Sequence, residues 1–283
     1  MQEPLPVQPQ PFFLPTPKGR LFAVYHRPTL PLTCRGNVLV VPAFNEEMNR
    51  CRSMVTLQAQ SLGKLGWGTL VLDLHGTGES DGDYVDARWD LWLGNIQQAV
   101  AWLDEQPGRC TGLLAVRLGV ALALAFLRQD QKQRALVAWQ PIVNGKTYFT
   151  QFMRTRIAAN MDRNDIPKET SVTMRAQLAQ GQSVEVTGYE IHPELASMLD
   201  QLDISDLQPS PSVSMAWFEK GSGADKALAP TSQSLLASWQ QNGSVVDTLA
   251  LDGPAFWALH DRAVAPAWVE HTSVWFQKLS PTL

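Results

Sequence analysis

The run Leu113-Leu114-Ala115-Val116-Arg117-Leu118-Gly119-Val120-Ala121-Leu122-Ala123-Leu124 reads as a short buried strand, a sharp turn and a helix of small and apolar residues. Small side chains at the first and fifth positions of the turn, Ala115 and Gly119, give the steric frame of a nucleophile elbow, which lifts its central side chain above a parallel sheet. Ser, Cys or Asp at that centre would attack a carbonyl. The centre is Arg117, which stays protonated at any working pH and carries only donors. Its planar fork suits a carboxylate or a phosphate, and the free N–H groups at the start of the next helix favour an anion at the same spot. Two chemistries follow: an anion-binding pocket, or a positive charge neutralised by a carboxylate of the chain itself.

The elements that must position this turn alternate between strand and helix. Residues 1–17, rich in Pro and Gln, read as a surface extension, residues 20–26 as a strand and residues 28–36 as a loop. Residues 37–42 form a continuous apolar run, as in a strand covered on both faces. A polar stretch over residues 43–52 leads into an amphipathic helix ending near Leu65. A second buried strand, residues 69–74, ends in Asp73-Leu74-His75-Gly76-Thr77-Gly78-Glu79-Ser80. Trp89, Trp92, Leu93, Ile96, Ala99, Val100 and Leu103 then recur at helical spacing. The elbow follows, then a strand at 135–139. From residue 142 to about 212 the alternation stops, with a helix near 149–157, a hairpin near 183–191 and a helix over 193–202. Strands at 213–218 and 245–249 and helices at 232–241 and 267–279 complete the chain. The pattern predicts an α/β fold: a mostly parallel sheet covered by helices on both faces. Residues 1–141 and 213–283 would form the core, and 142–212 an inserted lid.

Composition narrows the function classes. With 283 residues, 45% of them hydrophobic, the chain can bury one large core. Charged residues make up 18% and the net charge is −4, which leaves no electrostatic footprint for nucleic acid. No apolar run is long enough to span a bilayer, and the start lacks a basic region and an apolar signal core, which predicts a cytoplasmic protein. Cys34, Cys51 and Cys110 lack metal-ligand spacing, so neither a metal nor a disulfide framework is expected, and no cofactor motif is present.

In this order and spacing, Asp73-x-x-Gly76-x-Gly78-x-Ser80, the Ala115-x-Arg117-x-Gly119 elbow and the lid resemble the α/β-hydrolase superfamily over nearly the whole chain. More narrowly, five stretches look like the second hydrolase-like family associated with the exosortase A system. They are residues 42–49, Arg117-Leu118-Gly119, Trp139-Gln140-Pro141 with Gly145-Lys146, Gln151-Phe152-x-Arg154, and Gly253-Pro254-x-Phe256-Trp257. That resemblance implies a setting in bacterial exopolysaccharide production and surface-protein sorting.

A serine hydrolase of this fold needs a nucleophile, a histidine base, an orienting acid and oxyanion donors. Ser80 corresponds to a serine that supports its loop in the superfamily, Cys51 lies between two arginines, and Cys110 precedes the elbow strand. The superfamily's histidine would fall at Phe256 or Trp257; His260 comes about one helical turn later. Glu219 and Asp225 follow the strand that supplies the acid. The oxyanion loop carries Asn45, Glu46 and Glu47, and a carboxylate there would repel an oxyanion. Beside Arg117 the same carboxylate is a charge partner, because a buried unpaired guanidinium is costly. The alternative is a pair of solvated glutamates stabilised by the helix dipole.

Three functions fit. In the first, triad chemistry is lost and the cleft binds a small-molecule ligand, anionic or not. Arg117 then pairs with Glu46 or Glu47 between walls of Phe44, Trp139, Phe256 and Trp257. In the second, a non-serine arrangement hydrolyses an ester, thioester or amide, with Arg117 holding an acidic group and Glu47 or His260 as general base. In the third, the lid acts as an interaction scaffold. Oligomeric state is left open.

Overall fold

A computed structural model describes residues 9–29, 33–130, 132–161, 168–222 and 226–279. The chain runs β1 (Gln10–Thr16), β2 (Gly19–His26), β3 (Gly36–Val41), α1 (Glu46–Lys64), β4 (Trp67–Leu72), α2 (Trp89–Asp104), β5 (Cys110–Val116), α3 (Gly119–Asp130) and β6 (Ala135–Trp139). Then come α4 (Gly145–Ala159), α5 (Ser171–Ala179), β7 (Val184–Val186), β8 (Tyr189–Ile191) and α6 (Pro193–Gln201). β9 (Ser214–Lys220), α7 (Pro230–Gln241), β10 (Val246–Leu251) and α8 (Pro266–Lys278) follow.

Eight of these strands form one sheet in the order β1-β2-β4-β3-β5-β6-β9-β10. β1–β2 and β2–β4 are antiparallel and the remaining pairs parallel. Every residue of β3 and β6 is buried, because helices cover both faces. Strand alternation sorts the side chains. Leu39, Val41, Leu113 and Ala115 enter a core with Trp92, Ile96 and Leu118, while Val38, Val40, Leu114 and Val116 face Met54, Val55, Trp268 and Phe276. β3, β4, β5 and β6 therefore end together, and their carboxyl ends supply the loops that build a site.

Residues 10–16 lie extended and mostly exposed, as expected, and in addition pair with β2 as an edge strand, which tolerates Pro11 and Pro15. Phe12 is anchored on Trp102, ring centroids 4.8 Å apart, and residues 1–8 lie outside the described set. Helix α1 begins at Glu46, inside the stretch that reads as polar loop. Between β6 and β9 the helix at 149–157, the hairpin and the helix at 193–202 appear as α4, β7–β8 and α6. The segment also contains α5, whose two buried residues, Met174 and Leu178, leave too faint an apolar period to detect. No described helix is long and apolar enough to cross a membrane.

The Asp73 loop is held by its own polar groups. Ser80 donates to the Asp73 carbonyl at 2.7 Å and accepts from the Phe22 N–H at 2.8 Å. The Asp73 carboxylate accepts from the Glu79 N–H at 3.1 Å and from Arg52 at 3.0 Å. Ser80 thus sits in the structural network of this loop.

Candidate functional site

The turn after β5 forces its central residue into a left-handed conformation: Arg117 has φ 57°. Its N–H donates to the Trp139 carbonyl at 2.9 Å, and its carbonyl accepts from Val120 at 3.1 Å as α3 begins. Gly119 is required by contact, since an added Cβ would lie 2.3 Å from the Pro42 carbonyl oxygen. Asn45, the residue immediately before α1, has φ 54°, and Gln140, after β6, has φ 47°. The connections that follow three neighbouring strands therefore each carry a non-glycine residue whose backbone is strained by roughly 1–3 kcal/mol. Such strain persists only where the surroundings over-determine it.

The surroundings of Arg117 do so. Its Nε and Nη2 donate to Glu47 Oε1 at 3.1 and 2.9 Å, and its Nη1 donates to the Gln140 carbonyl at 3.3 Å. Both charged side chains are mostly enclosed, at 13% and 17% exposure. The second Glu47 oxygen accepts from the Tyr148 hydroxyl at 2.8 Å. Burial, and then the negative charge of Glu47, push the Tyr148 hydroxyl well above its ordinary pKa, so it stays protonated and donates. The guanidinium carbon lies 5.4 Å from the Trp257 ring centroid and 5.7 Å from that of Tyr148, both within cation–π range. Arg117 is clamped by a carboxylate on one side and aromatic rings on others.

The clamp borders a cleft of about 530 Å³ lined by Phe44, Asn45, Glu46, Glu47, Arg50, Arg117, Tyr148, Phe152, Trp257 and His260 among others. Glu46, one residue from Glu47, takes a separate partner: it accepts from the Tyr189 hydroxyl at 3.1 Å. The side-chain oxygen of Asn45 accepts from the Tyr84 hydroxyl, which burial holds well above its ordinary pKa. Phe44 packs edge-on against Tyr148 and Phe152 at 6.0 and 5.8 Å. Both glutamates occupy the first turn of α1, so the dipole reading and the ion-pair reading of the acidic loop describe the same residues.

Other candidates fall elsewhere. Trp139 and Phe256, expected as cleft walls, lie beneath it. Trp139 is the last residue of β6, and alternation turns its ring, 0% exposed, towards α8, where it donates to Thr272 at 2.9 Å. Phe256 packs between Trp139, Trp257 and Trp268. Glu219 is buried and accepts from Trp217 at 3.0 Å and from the Ala229 N–H at 3.1 Å. Asp225 lies outside the described residues. Burial, and then Glu47, raise the Cys51 thiol far above its ordinary pKa, and burial does the same to Cys110, at about 12. Neither is an activated nucleophile. His260 is exposed at the cleft edge, with no hydrogen bond among the described residues. The ring that lies over Arg117 is that of Trp257.

No protein-family model matches the sequence, and no curated relative does. Solved structures match along almost the whole chain. GrgF, an α/β hydrolase from Penicillium sp. sh18, superposes with TM-score 0.64 at 16% identity, covering 98% of this chain and 100% of its own. Est1E from Butyrivibrio proteoclasticus with bound ferulic acid gives 0.63 at 13% identity, covering 94% and 97%. XC6422 from Xanthomonas campestris, a serine hydrolase without a lid, gives 0.59 at 14% identity, covering 99% and 100%. The chain has the α/β-hydrolase fold. Identities this low carry the fold alone, so function has to be argued from the site.

Proposed function

We propose that this α/β-hydrolase-fold protein binds a small molecule in the Arg117 cleft without cleaving it. The observation that carries this reading is the Arg117–Glu47 pair at the elbow, completed by Tyr148 and Trp257. A carboxylate of the chain occupies the guanidinium in the space where a hydrolase would receive a developing oxyanion. Three of the five N–H groups of Arg117 are engaged, which leaves two for a ligand oxygen. Phe44, Phe152 and Trp257 line the cleft beside them. A carbonyl or carboxylate on an apolar or aromatic body fits this lining. Two further solved structures of this fold, from Rhodothermus marinus and Pyrococcus furiosus, are named esterases, so esters are the ligands to try first.

Residues 142–212 are proposed as a lid, since Tyr148, Gln151 and Phe152 supply one wall of the cleft. The exosortase-associated setting rests on the motif resemblance, supported by the fact that Phe44–Glu47, Arg117, Gln151, Phe152 and Trp257 all line one cleft. A cytoplasmic location accords with three free thiols.

The experiment is incubation with a fluorophosphonate probe, followed by mass spectrometry of the intact protein, alongside turnover assays on an ester and thioester panel. The expected result is no stoichiometric serine adduct, no turnover, and a ligand-induced rise in melting temperature that is lost in Arg117→Ala. A labelled serine overturns the reading. Probe-insensitive turnover lost in Glu47→Gln or His260→Ala would replace it with non-serine hydrolysis.

A further inference from the structure

Two carboxylates and two guanidiniums line the cleft: Glu46, Glu47, Arg50 and Arg117. Glu47 and Arg117 neutralise each other at 2.9 Å. Glu46 and Arg50 do not, although they stand one turn apart on α1, where a glutamate followed by a basic residue ordinarily forms an ion pair. Each is drawn to a different partner. Glu46 accepts from the Tyr189 hydroxyl of β8 at 3.1 Å and from Asn49 at 3.4 Å. Arg50 donates Nη1 to the Ala258 carbonyl at 3.1 Å. Among the described residues, neither side chain has an ion-pair partner.

The cleft therefore holds one uncompensated charge of each sign. Glu46 is tied to the β7–β8 hairpin, whose turn residue Thr187 lines the cleft. Arg50 is tied to the loop after β10, which also brings Trp257 over Arg117. The two positions are about 6 Å apart along the helix axis. A singly charged ligand meets one of these charges and leaves the other as it was. An ester uses only the spare donors of Arg117 and meets neither. A ligand carrying an ammonium and a carboxylate on one body meets both, and Phe44, Phe152 and Trp257 line the space for its apolar part.

We propose that the cleft takes a dipolar ligand: a free amino acid with an apolar side chain, its ammonium at Glu46 and its carboxylate at Arg50. This rests on the reading of the cleft as a binding site and adds the charge pattern of what it binds.

The test is calorimetric titration of the full chain at neutral pH with three probes of one size. They are L-phenylalanine, 3-phenylpropionate, which lacks the ammonium, and phenethylamine, which lacks the carboxylate. L-Phenylalanine is expected to bind about three- to fivefold more tightly than either, the increment that one partly exposed ion pair supplies. Glu46→Gln should bring L-phenylalanine down to the affinity of 3-phenylpropionate and leave 3-phenylpropionate unchanged, which also shows that the cleft is intact. Arg50→Gln should bring it down to the affinity of phenethylamine and leave phenethylamine unchanged. The proposal is overturned if L-phenylalanine shows no saturable binding, if the three probes bind equally, or if either substitution leaves L-phenylalanine binding unchanged. These outcomes are separate from those that overturn binding without cleavage, which are read by serine labelling and turnover.

Discussion

At Arg117 the left-handed backbone and the enclosed charge are compensated together by Glu47, the Gln140 carbonyl, Tyr148 and Trp257. Glu47→Gln removes the countercharge and leaves a mostly buried guanidinium with neutral partners. The expected loss is about 1–3 kcal/mol of stability, measured by urea unfolding of the variant and the parent. Arg117→Ser places a hydroxyl at the elbow centre without a base beside it, since Trp257 is the residue packed over that position. That variant is expected to remain unlabelled by a fluorophosphonate, read by intact mass. Arg117 and the acidic pair are legible in the sequence because charge is conspicuous inside an apolar frame. Tyr148 is not. An aromatic residue at the start of a helix reads as core, and its bond to a glutamate 101 positions away leaves no local trace.

At the scale of elements, the elbow depends on how closely α3 approaches the end of β3. Gly119→Ala pushes a methyl into the Pro42 carbonyl, 2.3 Å away, and backbone is the least yielding of neighbours. A destabilisation of roughly 1–3 kcal/mol is expected from such overpacking, with a lower urea midpoint and an unchanged slope as the measure. The small-x-x-x-small spacing announces this turn in sequence because a physical clash enforces it. The walls of the cleft were harder to assign. Trp139 and Trp257 are the same residue type, yet strand alternation buries the first against α8 while a loop brings the second over Arg117. One-dimensional spacing does not distinguish a ring at a strand's last position from a ring in the loop above it.

The molecule as a whole carries an electrostatic staple far from the cleft. Asp104, at the end of α2, accepts from Arg134 at 2.9 Å, from Lys132 at 2.8 Å and from the Cys110 N–H at 3.1 Å, so it ties α2 to the starts of β5 and β6. Burial alone would raise its pKa, but the hydrogen bonds from Arg134 and Lys132 prevail and hold it at about 2, below the ordinary 3.8. The unfolded chain therefore takes up this proton first as pH falls. The stabilisation is complete above about pH 4 and is lost between there and pH 2. Thermal unfolding across pH 2–5 should show this fall in the parent and a flatter profile in Asp104→Asn. The sheet and its helical cover were legible from alternating apolar runs. β1 was not, because Pro11 and Pro15 argue against a strand everywhere except at a sheet edge, and only the assembled sheet shows that this is one.

The Arg117–Glu47–Tyr148 contact joins the elbow, the first turn of α1 and the first turn of α4 at a single point. Substitution of any one of these three residues therefore disturbs three elements together, and the carboxyl end of the sheet cannot be altered at this point without the segment that follows β6 registering the change.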